Sequence, residues 1–305
     1  MKLSIIICTY NRVVFLPDAL LSLTKQMLSK EHFEIIVINN NSTDTTEEVA
    51  LSFEKENPEY QYQYHIEKSQ GLSYARNKGI EVAKGEIIAF IDDDAIAEPD
   101  YAEQIVQAVD SYPEMDAFGG KVLPIYPDKQ QPAWMSKYIQ GVVSKVDYGE
   151  KIEAFDKKKY PVGCNMIFRK EIFDELGGFN VDLKYRSDDK FIFLKLREHH
   201  KKILYAPGIV VHHNIDASRL TKAFIIKLCI QIGATEKIRL KESFAGLFFK
   251  FVEYIWKMLA SLILAALFVL KGKLEKAHFI VMVRWYILFG FFRSVEYIEQ
   301  KYAKK

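Results

Sequence analysis

The first hundred residues alternate between short apolar runs and longer segments with helical spacing. Apolar runs rich in β-branched residues predict buried strands, whereas apolar positions three and four residues apart predict helices. Nearly continuous apolar strands joined by helices predict a mostly parallel α/β sheet covered by helices on both faces. The predicted strands are Leu3–Cys8, Phe33–Ile38, Tyr60–Ile66 and Glu86–Ile91, and the predicted helices between them are Val13–Leu28, Thr43–Lys55 and Ser73–Ala83.

Polar residues come directly after three of the predicted strands. In sheets of this kind ligands bind beyond the carboxyl ends of the strands, so these residues are the first candidates for a site. We expect all three groups to converge on one crevice. They are Thr9, Tyr10, Asn11 and Arg12 after the first strand, Asn39, Asn40, Asn41, Ser42, Thr43 and Asp44 after the second, and Asp92, Asp93 and Asp94 after the fourth.

The pattern is weaker in the middle of the chain. Pro124–Tyr160 contains several prolines and predicts an irregular insertion, in which Trp134 is either a stacking platform for an acceptor or a core residue. Regular structure resumes with predicted strands at Val162–Phe168, Lys202–Tyr205 and Ile209–His212 and a predicted helix at Asp188–His199.

Composition excludes several protein classes. With 15 glycines, 9 prolines and 3 cysteines in 305 residues, the chain is neither collagen-like nor disordered nor a disulfide scaffold. Cys8, Cys164 and Cys229 have no CxxC spacing, so they predict buried apolar side chains in a reducing compartment. The apolar run at the N-terminus is too short for a signal peptide, and we expect a cytosolic protein.

The net charge of +2 conceals two regions of opposite charge. Residues 1–217 carry 26 basic and 34 acidic side chains, a balance of −8, whereas residues 218–305 carry 16 and 6, a balance of +10. Two such regions predict two environments. Because the half with the sheet is acidic, we expect no nucleic-acid partner.

Asp92-Asp93-Asp94 is the sharpest chemical signal. Adjacent carboxylates repel one another unless a cation compensates them, and Mg²⁺ or Mn²⁺ is commonly held by one or two carboxylates plus substrate phosphates. Three carboxylates in isolation are more often a solvated acidic loop or a helix N-cap than a metal site. Their position after the fourth strand favours a metal–phosphate site.

Other polar segments have both a structural and a functional interpretation. Asn39–Asp44 is typical of a turn with an N-cap, but its amides could also read a nucleobase edge. Arg76 is either a surface arginine or, one turn into a helix that follows Gly71, a ligand for a diphosphate. Asp188-Asp189 is either a helix-dipole complement or a general base, and His212-His213 is either structural or part of the ligand set.

Four segments together resemble the ordered motifs of family 2 glycosyltransferases: Ser4–Arg12, Val37–Asp44, Gly71–Asn77 and Phe90–Asp94. The resemblance continues through Gly163–Arg169, Gly177–Asn180 and Asp188–Lys195 to His213, and covers about residues 3–220. It implies the GT-A fold, a Rossmann-like, mostly parallel sheet flanked by helices, and the use of nucleotide-activated sugars.

The resemblance also implies roles for individual residues. Donor binding falls to Thr9, Tyr10, Asn11 and Arg12, with Asn40 at the base-reading position, Arg76 toward the diphosphate, and Asp92 and Asp93 near the ribose or diphosphate. Asp94 is then the principal metal ligand, joined by Asp92 and His213, and Asp188-Asp189 is the acidic pair whose second member is the catalytic base. The chain departs from the family pattern at Asn39-Asn40, where Asp-Asp is usual, and at Phe191 and Lys195, where Asp and Arg are common.

These assignments predict a metal-dependent, inverting sugar transfer to a hydroxyl group of a glycan or lipid-linked acceptor, with use in polysaccharide or glycolipid assembly. The absence of P-loop, GxGxxG, GxSxG and HExxH motifs removes the usual support for other enzyme classes. Two alternatives remain: a sugar-nucleotide nucleotidyltransferase, and a non-catalytic binding protein built on a transferase fold.

The C-terminal region predicts a helical appendage at 221–305, following a catalytic domain at 1–220. Met258–Leu270 has no charge and Ala277–Phe292 is broken only by Arg284, but neither reaches the ~20 residues of a bilayer span. The alternatives are core helices, interfacial helices and a hairpin that enters the bilayer. Flanking lysines and the basic balance favour attachment to the cytoplasmic face of a membrane.

Overall fold

A computed structural model describes residues 1–155, 159–182 and 188–293 of the chain. The described residues between 3 and 214 form a mixed α/β sheet flanked by helices, as the sequence predicts. The strands are β1 (Leu3–Thr9), β2 (Phe33–Asn39), β3 (Gln61–Ile66), β4 (Ile87–Asp92), β5 (Ala95–Ala97), β6 (Ala117–Ile125), β7 (Glu153–Ala154), β8 (Met166–Arg169) and β9 (Ile203–Asn214). The helices are α1 (Leu16–Leu23), α2 (Thr46–Glu56), α3 (Leu72–Val82), α4 (Tyr101–Ser111), α5 (Glu171–Leu176), α6 (Asp188–Glu198), α7 (Lys222–Arg239), α8 (Phe244–Leu270) and α9 (Leu274–Phe291).

The strands follow the order β3-β2-β1-β4-β8-β6-β9-β5, and β7 pairs with β9. The first four strands of this order are parallel, whereas β8 lies antiparallel between β4 and β6. Because successive side chains of a strand point to opposite faces, an apolar strand can contribute to two cores. Ile5 and Ile7 pack in one hydrophobic cluster with α1 and α4, and Ile6 packs in the other with α5 and α6.

The two short strands predicted around residue 207 form one long strand, β9. Pro207 and Gly208 lie between the two predicted strands, but the chain is paired with β6 on both sides of them. The register shifts between Gly119 and Lys121, which is the mark of a β-bulge. A bulge accommodates proline and glycine inside a strand and lets β9 continue to the far end of the sheet.

By its contacts the described chain separates into two compact units. The first comprises residues 1–125, 145–155, 159–182 and 188–214, and the second comprises residues 126–144 and 215–293. The predicted insertion is largely irregular, with a 3₁₀ turn at Gln140–Val143. Within the second unit Trp134 stacks on Phe279, with ring centroids 4.4 Å apart, so this tryptophan is engaged in packing.

The helices of the second unit are longer than the apolar stretches predicted for them. α8 runs without a break for 27 residues and is, among the described residues, a helix long and apolar enough to cross a membrane. The predicted charge-free stretch Met258–Leu270 forms the second half of this helix, and the first half contains Glu253 and Lys257, which pair with each other. α8 also exposes a row of large apolar side chains, which we call the outer stripe: Phe244, Phe248, Phe249, Val252, Ile255, Trp256, Leu259, Leu262, Ile263, Leu267, Val269 and Leu270.

Candidate active site

The strand register brings the predicted polar groups to one edge of the sheet. Thr9 of β1 pairs with Asn39 of β2, and Cys8 pairs with Asp92 of β4. Because these strands are parallel neighbours, the loops that follow them leave the sheet side by side. The predicted crevice is therefore formed by the residues that come after β1, β2 and β4.

Arg12 compensates the carboxylates that follow β4. Its guanidinium forms an ion pair with Asp94 and lies 3.3 Å from Asp93 Oδ1. Both aspartates are buried, whereas the side chain of Arg12 is 30% exposed. Burial raises the pKa of Asp93 to about 7, although the charge of Arg12 opposes this shift.

His213 reaches the same carboxylates from the other end of the sheet. It pairs with Ala95 in the β5–β9 ladder, and the N–H of Asn214 donates to the carbonyl of Asp94 at 2.8 Å. This places His213 Nε2 3.2 Å from Asp94 Oδ1. The bulge in β9 thus has a consequence for the site, because it lets the strand extend far enough to deliver this histidine.

The side chains of Asp92, Asp94 and His213 can be tested as a metal-binding set. One ligand atom from each lies within 4.8 Å of the others. Carboxylate oxygens and an imidazole nitrogen are donors that Mn²⁺ accepts, and Mg²⁺ prefers the oxygens. The three residues present therefore fit a divalent cation.

Arg76 is buried, so of the two interpretations of this residue the surface arginine is excluded, and its role toward the diphosphate stays a prediction. Its guanidinium forms an ion pair with Asp188 and lies 3.6 Å from Asp92 Oδ1. The rings of Phe90 and Phe179 flank it at 5.8 and 5.3 Å from their centroids. Arg76 thus connects the carboxylate at the end of β4 with the acidic pair that begins α6.

The second acidic residue of that pair, Asp189, has a separate environment. Its Oδ2 accepts a hydrogen bond from the N–H of Gly163 at 3.1 Å, and Oδ1 accepts one from the N–H of Lys190 at 2.6 Å. Burial and the neighbouring charge of Asp188 raise the pKa of Asp189 to about 6, while Arg76 opposes the shift. A carboxylate with a pKa near neutrality is suited to accept a proton. Ser187, which precedes the pair, lies outside the described residues.

The side chain of Asn40 forms three hydrogen bonds with the backbone of the 67–71 loop. Its Nδ2 donates to the carbonyls of Glu67 and Ser69 at 3.1 and 2.7 Å, and its Oδ1 accepts from the N–H of Gly71 at 2.7 Å. Both amide hydrogens are therefore used within the protein. Asn40 thus fixes the 67–71 loop, and its role at the base-reading position stays a prediction.

The remaining predicted donor residues form the rim of the crevice. Thr9 is buried, whereas Tyr10 is exposed. Asn11 adopts a left-handed conformation with φ of 51°, and its Oδ1 accepts from the N–H of Thr43 at 2.7 Å. These contacts tie the loop after β1 to the loop after β2.

Gly163 was not singled out from its chemistry, yet it joins Arg76 to Asp189. Its carbonyl accepts from Arg76 at 3.3 Å and its N–H donates to Asp189. A Cβ atom at this position would lie 2.7 Å from Arg76 Nη2, so any larger residue would displace the guanidinium. Asn77 was missed as well: it bonds the backbone of Phe179 in both directions and so holds that ring beside Arg76.

Comparisons with known proteins agree with this arrangement. A model of the family described as "Glycosyl transferase family 2" matches residues 4–177, more than half of the chain. The glucosyl-dolichyl phosphate glucuronosyltransferase of Haloferax volcanii is 27% identical over 191 residues, which cover 62% of this chain and 59% of that protein. The chain thus spans less than two thirds of that curated relative.

Two solved structures share the fold. The mannosyltransferase PcManGT from Pyrobaculum calidifontis, in complex with GDP-Man and Mn²⁺, has a TM-score of 0.66 at 17% identity and covers 100% of this chain and 88% of its own. TarS 1-349 of S. aureus, in complex with UDP-GlcNAc, has a TM-score of 0.56 at 20% identity and covers 76% of this chain and 66% of its own. Likeness at this level of identity shows a common fold.

Proposed function

Because the chain belongs to glycosyl transferase family 2, we propose that it transfers a sugar from a nucleoside diphosphate sugar to a hydroxyl acceptor in cell-surface glycan assembly. The observation that carries the proposal is the juxtaposition of two acidic groups. The first group consists of Asp92 and Asp94 together with His213, and the second consists of Asp188 and Asp189. Arg76 lies between the two groups, beside Asp92 and Asp188.

The donor lies along the edge formed by the loops after β1, β2 and β4. Tyr10 offers an exposed ring at this edge, and Arg12 offers a guanidinium that is partly open to solvent. Asn40 acts on the nucleoside pocket indirectly, through the 67–71 loop that it fixes. Since one structural neighbour was solved with a GDP-sugar and another with a UDP-sugar, both bases belong in the first screen.

Asp92, Asp94 and His213 hold a divalent cation, Mn²⁺ or Mg²⁺. When bound, such an ion stabilises the negative charge that develops on the departing nucleoside diphosphate. Arg12, beside Asp93 and Asp94, adds positive charge in the same place and stabilises the diphosphate electrostatically.

Asp189 is the general base. It takes the proton of the acceptor hydroxyl as that oxygen forms a bond to the anomeric carbon, and the bond from this carbon to the diphosphate oxygen breaks. In-line attack of this kind inverts the anomeric configuration. Backbone N–H groups of Gly163 and Lys190 hold the carboxylate in place, and Asp188, ion-paired with Arg76, is a positioning residue.

The acceptor is a glycan or a lipid-linked saccharide, used at the cytoplasmic face of a membrane. The relative from H. volcanii is named for a dolichyl phosphate substrate, which is a lipid carrier. Two features support this location: the apolar helix α8, and the excess of basic side chains in residues 218–305.

The direct test is release of nucleoside diphosphate by the full-length chain from a panel of GDP- and UDP-sugars, with Mn²⁺, with Mg²⁺ and with chelator. We expect one donor to be turned over, only with a divalent cation. Asp94→Asn and Asp189→Asn should each lower turnover by at least about 10²-fold. The matched control Asp110→Asn, at an exposed carboxylate paired with Lys2, should not lower it. Pyrophosphate release from a nucleoside triphosphate and a sugar phosphate would instead identify a nucleotidyltransferase.

A further inference from the structure

The outer stripe of α8 reverses the usual polarity of a surface helix. Its members recur every three or four residues along one side, and three of the largest, Phe249, Trp256 and Ile263, are 66% to 71% exposed. A surface helix of a globular protein ordinarily turns its apolar side to the core and its charges to water. An exposed apolar surface of this extent marks a site of contact with a membrane or a protein.

The charged residues of α8 are not members of the outer stripe, and one of them, Lys250, reaches a neighbouring helix of the second unit. Lys250 Nζ is 2.9 Å from Glu253 and 3.4 Å from Glu236 of α7, which is buried. Lys257 pairs with Glu253 one turn earlier. The pair with Glu236 joins α8 to α7, whereas the two pairs with Glu253 lie within α8. Tyr254 and Ser261 are the buried side chains of α8, and their burial together with the Lys250–Glu236 pair leaves the outer stripe facing outward.

From these observations we infer that α8 lies in the plane of one leaflet of an anionic membrane, with the outer stripe inserted, and does not cross the bilayer. This inference deepens the membrane partner included in the proposed function and rests on it.

The length of the charge-free part of α8 argues against crossing. Residues 258–270 extend for only about 20 Å at 1.5 Å per residue, short of the ~30 Å hydrocarbon core. A crossing helix would therefore carry the ion pairs of Lys250, Glu253 and Lys257 into the hydrocarbon. The outer stripe, by contrast, is uncharged from Phe244 to Leu270 and can be inserted along its whole length.

The positions of tryptophan and lysine support the same orientation. Trp256 lies near the middle of α8, where a crossing helix would place it at the centre of the bilayer, although tryptophan prefers the interface. Exposed lysines lie at both ends of the helix, Lys241 before it and Lys271 and Lys273 after it. A helix in the membrane plane brings both ends to the same anionic headgroups.

The first test measures binding of the full-length chain to sedimenting vesicles, of phosphatidylcholine alone or mixed with phosphatidylglycerol. We expect binding to the anionic vesicles that weakens with salt, and an about tenfold lower partition coefficient for Ile263→Glu and for Leu259→Glu. The matched control is Leu21→Glu, because Leu21 and Leu259 are both 50% exposed and Leu21 lies on α1. Wild-type binding by both stripe variants would overturn the inference.

The second test determines whether α8 crosses, and does not depend on the stripe variants. Lys241→Cys and Lys273→Cys place a thiol before and after the helix, and an impermeant maleimide is applied to intact cells and to inverted membrane vesicles. Both thiols should be labelled above the wild-type background only in inverted vesicles. Labelling of one thiol from each side would show a crossing helix and overturn the inference.

Two further readouts separate the alternatives. If Ile263→Glu converts an oligomer into a monomer and leaves vesicle binding intact, the stripe is a contact between copies of the chain and the inference is wrong. Nucleoside diphosphate release in solution should be the same for wild type and the stripe variants. Its absence from all of them would contradict the proposed function and leave the vesicle result standing.

Discussion

Arg76 and Asp188 form a buried ion pair that joins positions 112 residues apart in the chain. The pair is enclosed by the rings of Phe90 and Phe179 and continues to Asp92 on one side and to Gly163 on the other. A buried charge that loses its partner is costly, so each member depends on the other. The pair therefore links the proposed metal-binding residues to the proposed base.

Replacing Arg76 should change both stability and the titration of the base. Arg76→Gln leaves Asp92 and Asp188 without their buried counter-charge, and we expect a loss of about 3–5 kcal/mol in the free energy of unfolding. Because Arg76 lowers the pKa of Asp189, the midpoint of the pH–rate profile should move to higher pH. Urea unfolding and initial rates measure the two effects.

Two variants make this prediction specific. Lys78→Gln, on the exposed side of the same helix, removes a charge paired only at the surface with Glu81 and should leave stability and the pH midpoint unchanged. Arg76→Lys keeps the positive charge but loses the paired N–H donors of the guanidinium. Its pH midpoint should therefore match that of wild type, while its turnover should stay below that of wild type. An unchanged midpoint in Arg76→Gln would refute the coupling.

Asp189 should impose an acidic limit on catalysis. A general base must be unprotonated, and the pKa of this group is raised from 3.8 to about 6. The turnover rate should thus be constant at neutral pH and fall about tenfold per pH unit once the pH drops below about 6. Asp189→Asn should lose about 10²–10⁴-fold in turnover and lack this limb. Rates that stay constant well below pH 6 would exclude Asp189 as the base.

The edge of the sheet at which the site forms could be predicted from the sequence. Parallel pairing is required by apolar strands joined by helices, and it places the residues after β1, β2 and β4 together whatever their side chains are. The contacts of Asn40 could not be predicted in this way. Its partners are backbone groups of the 67–71 loop, a segment without periodicity, so its asparagine was equally compatible with a base-reading role.

Contacts between side chains that are distant in the sequence could not be predicted from the hydrophobic pattern either. That Arg12 pairs with Asp94, or that Gly163 bridges Arg76 and Asp189, depends on how loops distant in sequence meet. The length of α8 was underestimated for a related reason. Lys250, Glu253 and Lys257 interrupt its hydropathy, but their charges pair with one another along the helix.

The proposed metal-binding residues should be separable by direct binding. Asp94→Asn and His213→Ala each remove one ligand, and we expect more than about tenfold weaker Mn²⁺ affinity for both, measured by paramagnetic resonance of free Mn²⁺. Asp110→Asn, an acidic surface variant, should bind like wild type. Undiminished affinity in both ligand variants would mean that the cation is held elsewhere.

Gly163→Ala tests whether the close approach of this backbone to Arg76 matters for catalysis. The added Cβ would lie 2.7 Å from Arg76 Nη2, and the guanidinium cannot move aside freely because it is ion-paired and flanked by two rings. We expect a loss of about 1–3 kcal/mol in stability from the overpacking and a fall in turnover larger than the rise in KM for the donor. The control is Gly141→Ala, where a Cβ has no atom within 4 Å and should change neither quantity. Wild-type turnover in Gly163→Ala would show that Asp189 holds its position without this contact, and the backbone of residue 163 would then have no part in orienting the base.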